Sequence, residues 1–172
     1  MKAFQKLVSG LAIAGLAVAC GDDPIPGVTG NGGTTVADIA GAWTASQFEY
    51  TMVAPPSTAL DLIALTGEAT VTAAADGSYN GTLLLPGAPG AAPFSGDITI
   101  SGSSLTLGFD MLTVIGPITL DPADPFEFDS FTLSGNQLTL SASVAEFDFT
   151  LGLCGTATCP EVPATLVIIL NR

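Results

Sequence analysis

Polar and apolar residues alternate along much of the chain after residue 43. FEFD at 126–129 and EFDF at 146–149 place phenylalanines on one face and acids on the other. This two-residue period, with many β-branched and aromatic residues, is typical of half-buried strands. The pattern predicts strands over 43–53, 67–74, 78–85, 94–101, 104–109, 126–134, 137–149 and 162–170, with a further short strand over 113–120. Only STALDLIAL, residues 57–65, has a spacing that could form one or two helical turns.

Short turns separate several of these strands. AADGS at 74–78, SGSS at 101–104 and SGNQ at 134–137 supply the glycines that tight hairpins require. Residues 98–107, ITISGSSLTL, resemble residues 131–140, FTLSGNQLTL. A repeat architecture would need more than two copies, so we interpret them as two similar hairpins.

Eight or nine antiparallel strands at hairpin spacing leave two architectures, an up-and-down barrel or a β-sandwich. In a closed barrel with an even number of strands, the first strand pairs with the last and begins beside its end. Trp43 lies near the start of the first predicted strand, and Arg172 follows the last. We therefore predict an eight-stranded (8–9) barrel in which Arg172 stacks on Trp43, with the sandwich as the alternative.

The first 19 residues have the pattern of an export signal. Lys2 and Lys6 precede an apolar run at 7–19, which is too short to span a bilayer, and Cys20 follows directly. This resembles a bacterial lipoprotein signal, which implies cleavage before Cys20 and lipid on its sulfur. Leu16 stands four residues before the cysteine rather than three, so an ordinary secretory signal is the alternative.

The resemblance to lipoproteins also predicts the organisation and location of the mature protein. Residues 20–35 are rich in Gly, Pro, Asp and Thr and read as a flexible tether, followed by one domain over 36–172. Gly21 after the cysteine implies outer-membrane rather than inner-membrane sorting. The expected membrane partner is reached through the N-terminal lipid anchor.

Charge excludes several classes of partner. The mature chain would keep Arg172 alone against 16 acidic residues, a net charge of about −15. Nucleic-acid binding needs several Lys or Arg contacts to phosphate, so no nucleic-acid partner is expected. We expect a monomer. Cys154 and Cys159, separated by a Gly/Thr-rich loop, are predicted to form a local disulfide in an oxidising compartment.

The predicted barrel is similar to a lipocalin-like (calycin) β-barrel domain. The similarity is carried by DIAGAWTASQFEY, by DGSY, by the two hairpins and by the terminal Arg172. Gly41, Trp43 and Arg172 match the Gly-x-Trp and the basic residue that packs over the tryptophan in that group. The Thr-Asp-Tyr motif and a C-terminal helix are missing. The resemblance implies a barrel able to hold a small apolar ligand.

The residues available exclude most catalytic chemistry. The chain has no histidine, so neither a Ser-His-Asp triad nor a Cys-His pair can form. An alternative is a calcium site formed by four acidic residues that lie within nine positions, Asp121, Asp124, Glu127 and Asp129. The spacing of an EF-hand is absent, and we expect no metal. Paired strand carboxylates are the alternative for glycoside hydrolysis, with Glu49, Glu68, Glu146 and Asp148 as the candidates. We expect no enzyme activity and no cofactor; a small apolar ligand or a filled, structural interior remain as the two alternatives.

Overall fold

Twelve strands and one short 3₁₀ helix form the described part of the chain. The computed structural model describes residues 33–53, 58–115, 118–147 and 162–172, which fall within one compact unit, Asn31–Arg172. The 3₁₀ helix is Val36–Ile39, and the strands are β1 (Gly41–Met52), β2 (Ala59–Asp61), β3 (Glu68–Ala73), β4 (Ser78–Leu84), β5 (Ala92–Ser101), β6 (Ser104–Leu107), β7 (Thr113–Ile115), β8 (Ile118–Leu120), β9 (Phe126–Phe128), β10 (Ser130–Ser134), β11 (Gln137–Phe147) and β12 (Val162–Asn171). Among these residues no helix is long and apolar enough to cross a membrane.

Nine of the strands form one antiparallel sheet that curls into a nearly closed barrel. Their order is β10-β11-β12-β1-β3-β4-β5-β6-β9. Neighbours in the sheet are consecutive along the chain except for β1 with β3, β6 with β9, and the first strand with the last. The prediction of an all-β, up-and-down antiparallel barrel is confirmed. The sandwich alternative is wrong, because these strands belong to one continuous sheet rather than to two stacked ones.

The barrel wall is completed by a bend in the chain at Asp129. β9 pairs with β6 at one end of the sheet path, and β10 pairs with β11 at the other. Asp129 alone separates β9 from β10, so the predicted strand over 126–134 is one strand bent between two neighbours. The Asp129 carboxylate accepts a hydrogen bond of 2.7 Å from the backbone N–H of Ser143 on β11, beyond the Ser130–Ser141 pair at which the β10–β11 ladder ends. The side chain thereby replaces a missing ladder bond.

The first and last strands form a long seam. β1 pairs with β12 from Thr44–Asn171 to Met52–Ala164, with a bulge between Ala45 and Gln47. The extra residue shifts the alternation of inward- and outward-pointing side chains by one position, so that side chains of the second half of β1 again point into the barrel. On its other side β1 pairs first with β3 and then with β2.

The hairpin turns lie where glycines predicted them. Gly102 connects β5 to β6 with φ of +62°, and Gly135 connects β10 to β11 with φ of +58°. These left-handed conformations strain residues with a Cβ, which explains glycine at both positions. The two similar sequence stretches are therefore two similar hairpins, as predicted.

Two local predictions were wrong. The helical interpretation of 57–65 fails, since Ala59–Asp61 pairs with β1 as a strand and residues 62–66 form turns. Leu60 and Leu62 are buried, so apolar spacing there reflects anchoring of a loop to the barrel. The single strand predicted over 113–120 is instead a two-stranded ribbon, β7 and β8.

Candidate functional site

The interior of the barrel contains an apolar cavity of about 130 Å³. Every strand of the barrel except β10 contributes side chains to its wall, together with the 3₁₀ helix and β8. Every described residue that lines the cavity is aliphatic or aromatic. No carboxylate, amide or basic side chain in the described part of the chain faces it. This composition suits an uncharged, hydrocarbon-like group, because burial of an unpaired polar group is costly.

Several inward side chains stay partly exposed in the middle of their strands. Val71 is half-buried, whereas Ala69 and Ala73, which point the same way on β3, are buried. Ile168 shows the same behaviour between two buried leucines of β12. A filled barrel would bury the middle of each strand most completely. The partial exposure of these mid-strand side chains therefore comes from the cavity that they face.

One end of the barrel is closed around Trp43. Its indole N–H donates a hydrogen bond of 2.8 Å to the carbonyl of Ile39, a helix residue that is itself 1% exposed. Arg172 places its guanidinium carbon 4.6 Å from the centre of the Trp43 ring and donates a 3.0 Å hydrogen bond to the carbonyl of Ala40. The structure thus brings together the two residues that the sequence predicts as a barrel-closure pair. Gly41 has φ of +140°, a backbone conformation that residues with a Cβ rarely adopt, whereas a Cβ there would make only an ordinary contact of 3.7 Å with the guanidinium.

The 3₁₀ helix that seals this end was missed from the sequence. Its signal is Thr35 followed three residues later by Asp38, a capping spacing that precedes an apolar residue. The Asp38 carboxylate accepts hydrogen bonds from the backbone N–H and the hydroxyl of Thr35, at 2.7 and 2.8 Å. These bonds lower the pKa of the exposed Asp38 carboxyl.

The long connections from β4 to β5 and from β6 to β9 lie at the opposite end of the barrel from Trp43. The connection from β6 to β9 contains the β7–β8 ribbon, whose Ile118 and Leu120 line the cavity. The same connection exposes three large apolar side chains, Met111, Leu112 and Val114, each more than 60% exposed. Apolar residues therefore occur both on the cavity side and on the outer side of this connection.

Two tyrosines belong to the barrel interior, and neither has the features of a catalytic acid. The Tyr79 hydroxyl donates a 2.9 Å hydrogen bond to the carbonyl of Gly108. Burial raises the pKa of Tyr79, and the negative charges of Asp110 and Asp97 raise it further. Burial also raises the pKa of Tyr50. Both phenols therefore stay protonated near neutral pH.

Among the residues that the structure describes, the predicted acidic residues make local hydrogen bonds or are exposed. Asp121 accepts a hydrogen bond from the Ala123 N–H at 2.8 Å, and Asp129 accepts one from the Ser143 N–H at the bend. Glu127 points outward between two phenylalanines. In the described part of the chain no three acidic side chains converge on a position where a metal could bind, and this includes Asp121, Asp124, Glu127 and Asp129. Of the strand carboxylates considered for hydrolysis, Glu49 accepts a 3.1 Å hydrogen bond from the Thr51 hydroxyl and Glu68 is exposed. The side chain of Glu146 and the residue Asp148 lie outside the described part of the chain.

The remaining predicted sites fall outside the described residues. Cys20, Cys154 and Cys159 lie there, together with the predicted signal and most of the tether. Comparison with known proteins adds no relative: no protein-family model, no curated protein and no solved structure matches this chain. The candidate site therefore has to be interpreted from its own geometry.

Proposed function

We propose that this protein is a non-catalytic, lipid-anchored protein of the bacterial outer membrane that holds a small hydrophobic ligand in its barrel. The observation that carries the proposal is the apolar cavity of about 130 Å³, with inward side chains such as Val71 left partly exposed. An engineered cavity of roughly 150 Å³ in another protein stays dry and binds benzene. A hydrocarbon group of similar size is the corresponding occupant here.

The closed end of the barrel supports the same role. The 3₁₀ helix, Trp43 and Arg172 seal that end, so entry is through the end where the long connections lie. A lipocalin-like carrier is built in this way, and the Gly41, Trp43 and Arg172 matches support that comparison. Anchoring at Cys20 is supported by the apolar run at 7–19 and its position directly before the cysteine.

Native mass spectrometry of the mature protein, purified from its own envelope, tests ligand carriage. We expect an additional apolar mass on the wild-type protein and on Val53→Phe, which enlarges an exposed side chain. Val71→Phe fills the cavity and is expected to abolish the extra mass while the far-ultraviolet circular dichroism stays unchanged. A wild-type barrel that is repeatedly empty would count against carriage.

A second candidate function is a structural or interaction module with no ligand. The exposed side chains of Met111, Leu112 and Val114 favour it, because adjacent exposed apolar residues mark interaction surfaces. Replacing the three by serine is expected to remove cross-linked envelope partners under this alternative. Recovery of no partner by the wild type would argue against it.

The anchor has its own test. Intact-mass analysis of the mature protein is expected to give a chain beginning at Cys20 with attached acyl groups, whereas Cys20→Ala should retain residues 1–19 or be released without lipid. A soluble mature wild-type protein cleaved elsewhere would contradict lipidation.

A further inference from the structure

The charges around the barrel determine which hydrophobic molecules can use it. Between residues 33 and 172 the only basic residue is Arg172, and histidine is absent. Arg172 lies at the closed end, where it stacks on Trp43 and donates to the carbonyls of Ala40 and Asp38. No cation of this part of the chain is therefore left to pair with a ligand carboxylate, sulfate or phosphate.

Carboxylates lie beside the wall of the cavity at its other end. Asp121 and Asp124 occupy the short connection between Leu120 and Phe126, which both line the cavity and are both partly exposed. The backbone of this connection is folded tightly, with an isolated bridge between Asp121 and Asp124. Asp110 directly follows Phe109, another partly exposed lining residue. An anionic head group at this end would meet negative charge and no positive charge.

From this arrangement we infer that the cavity selects apolar molecules without an anionic group, so that alcohols, neutral hydrocarbons and amines bind while fatty-acid-like carboxylates are rejected. The inference rests on the proposed ligand-carrying function and specifies its ligand class. In water, one carboxylate about 10 Å from an anionic head group weakens binding by a factor of about two, so the three carboxylates together give about an eightfold effect at low salt. The missing cation adds to this discrimination, because an anion that moves into the cavity stays unpaired.

Three probes with one six-carbon chain test the inference: 1-hexanol, hexanoate and hexylammonium at pH 8. Trp43 is the only tryptophan in the chain and lines the cavity, so its emission reports occupancy of this site alone. Titration of the full chain at 10 mM salt is expected to show hexanoate binding at least tenfold more weakly than 1-hexanol. Hexylammonium is expected to bind at least as tightly as 1-hexanol, and the gap between alcohol and carboxylate should narrow at 1 M salt.

A charge-matched pair of variants locates the effect. Asp121→Asn with Asp124→Asn keeps the side-chain oxygens as acceptors but removes two charges, and should reduce the gap between alcohol and carboxylate about fourfold. Asp124→Asn alone should halve the gap, whereas Asp76→Asn, which removes the same single charge in the β3–β4 turn at the closed end, should leave the gap unchanged. Equal affinity for hexanoate and 1-hexanol in the wild type would overturn the inference while leaving ligand carriage intact. Failure of all three probes to bind, by emission and by calorimetry, would instead overturn carriage itself.

Discussion

The stacking of Arg172 on Trp43 gives a test of how the barrel is closed. Arg172→Ala removes a cation–π contact, worth about 0.5–1 kcal/mol at an exposed site. It also removes the 3.0 Å hydrogen bond to the Ala40 carbonyl, worth about 0.5–1.5 kcal/mol. The backbone N–H of Arg172 still donates to the Asn136 carbonyl, so the chain end stays docked in the variant.

The expected loss is about 1–2 kcal/mol of unfolding free energy, which lowers the melting temperature by about 3–6 °C in a domain of this size. Thermal unfolding followed by circular dichroism measures it, on a chain with no C-terminal tag. Arg172→Lys keeps the charge without the planar guanidinium and should fall between alanine and wild type. A double-mutant cycle with Trp43→Phe isolates the side-chain pair and should give a coupling of about 0.5–1 kcal/mol. A melting temperature within about 1 °C of wild type in Arg172→Ala would refute the closure role.

Three further predictions concern packing and pH. Gly96→Ala should destabilise the protein by about 3 kcal/mol or more, because its Cβ would collide with the backbone oxygen of Gly108, whereas Gly90→Ala meets nothing within 4 Å and should change the stability to urea little. Tyr50 and Tyr79, the only tyrosines, have raised pKa values. The free energy of unfolding should therefore fall as the pH rises above 10, the ordinary value at which the phenols ionise in the unfolded chain. Phenolate absorbance below pH 10.5 in the folded protein would contradict this. Hydrogen bonds from Ser78 lower the pKa of Asp76 below its ordinary value of 3.8. The wild type should therefore be more stable than Asp76→Asn at pH 5, and this difference should shrink at pH 3. A difference that does not depend on pH in denaturant titrations would contradict the prediction.

Much of the fold could be predicted because local patterns and local turns agree. The strands of each hairpin are adjacent in sequence, and glycines at the turns fix how they pair. The predicted pairing of the first strand with the last also followed from strand number. Of the candidate site, Trp43 and Arg172 could be placed at one end, because the start of the first strand lies beside the end of the last strand in a closed barrel.

Other features could not be predicted because they depend on contacts between distant segments. The bend at Asp129 does not disturb the alternation of polar and apolar residues in FEFD. It is visible only in the structure, where β9 pairs with β6 and β10 pairs with β11. The β7–β8 ribbon and the strand Ala59–Asp61 are too short for a reliable period, and their apolar residues are fixed by packing on the barrel.

The sequence by itself determined that the domain is an antiparallel β-structure, strongly acidic, without histidine and with a single cation beyond its N-terminal segment. Those properties are sums over residues or follow from near neighbours. Only the tertiary structure decided that the interior keeps an apolar cavity of about 130 Å³, because a void is the difference between the space enclosed by a curved sheet and the volume of its inward side chains. The tertiary structure also decided that the guanidinium of Arg172 packs at the closed end of the barrel. The other end therefore has carboxylates without a positive charge beside them.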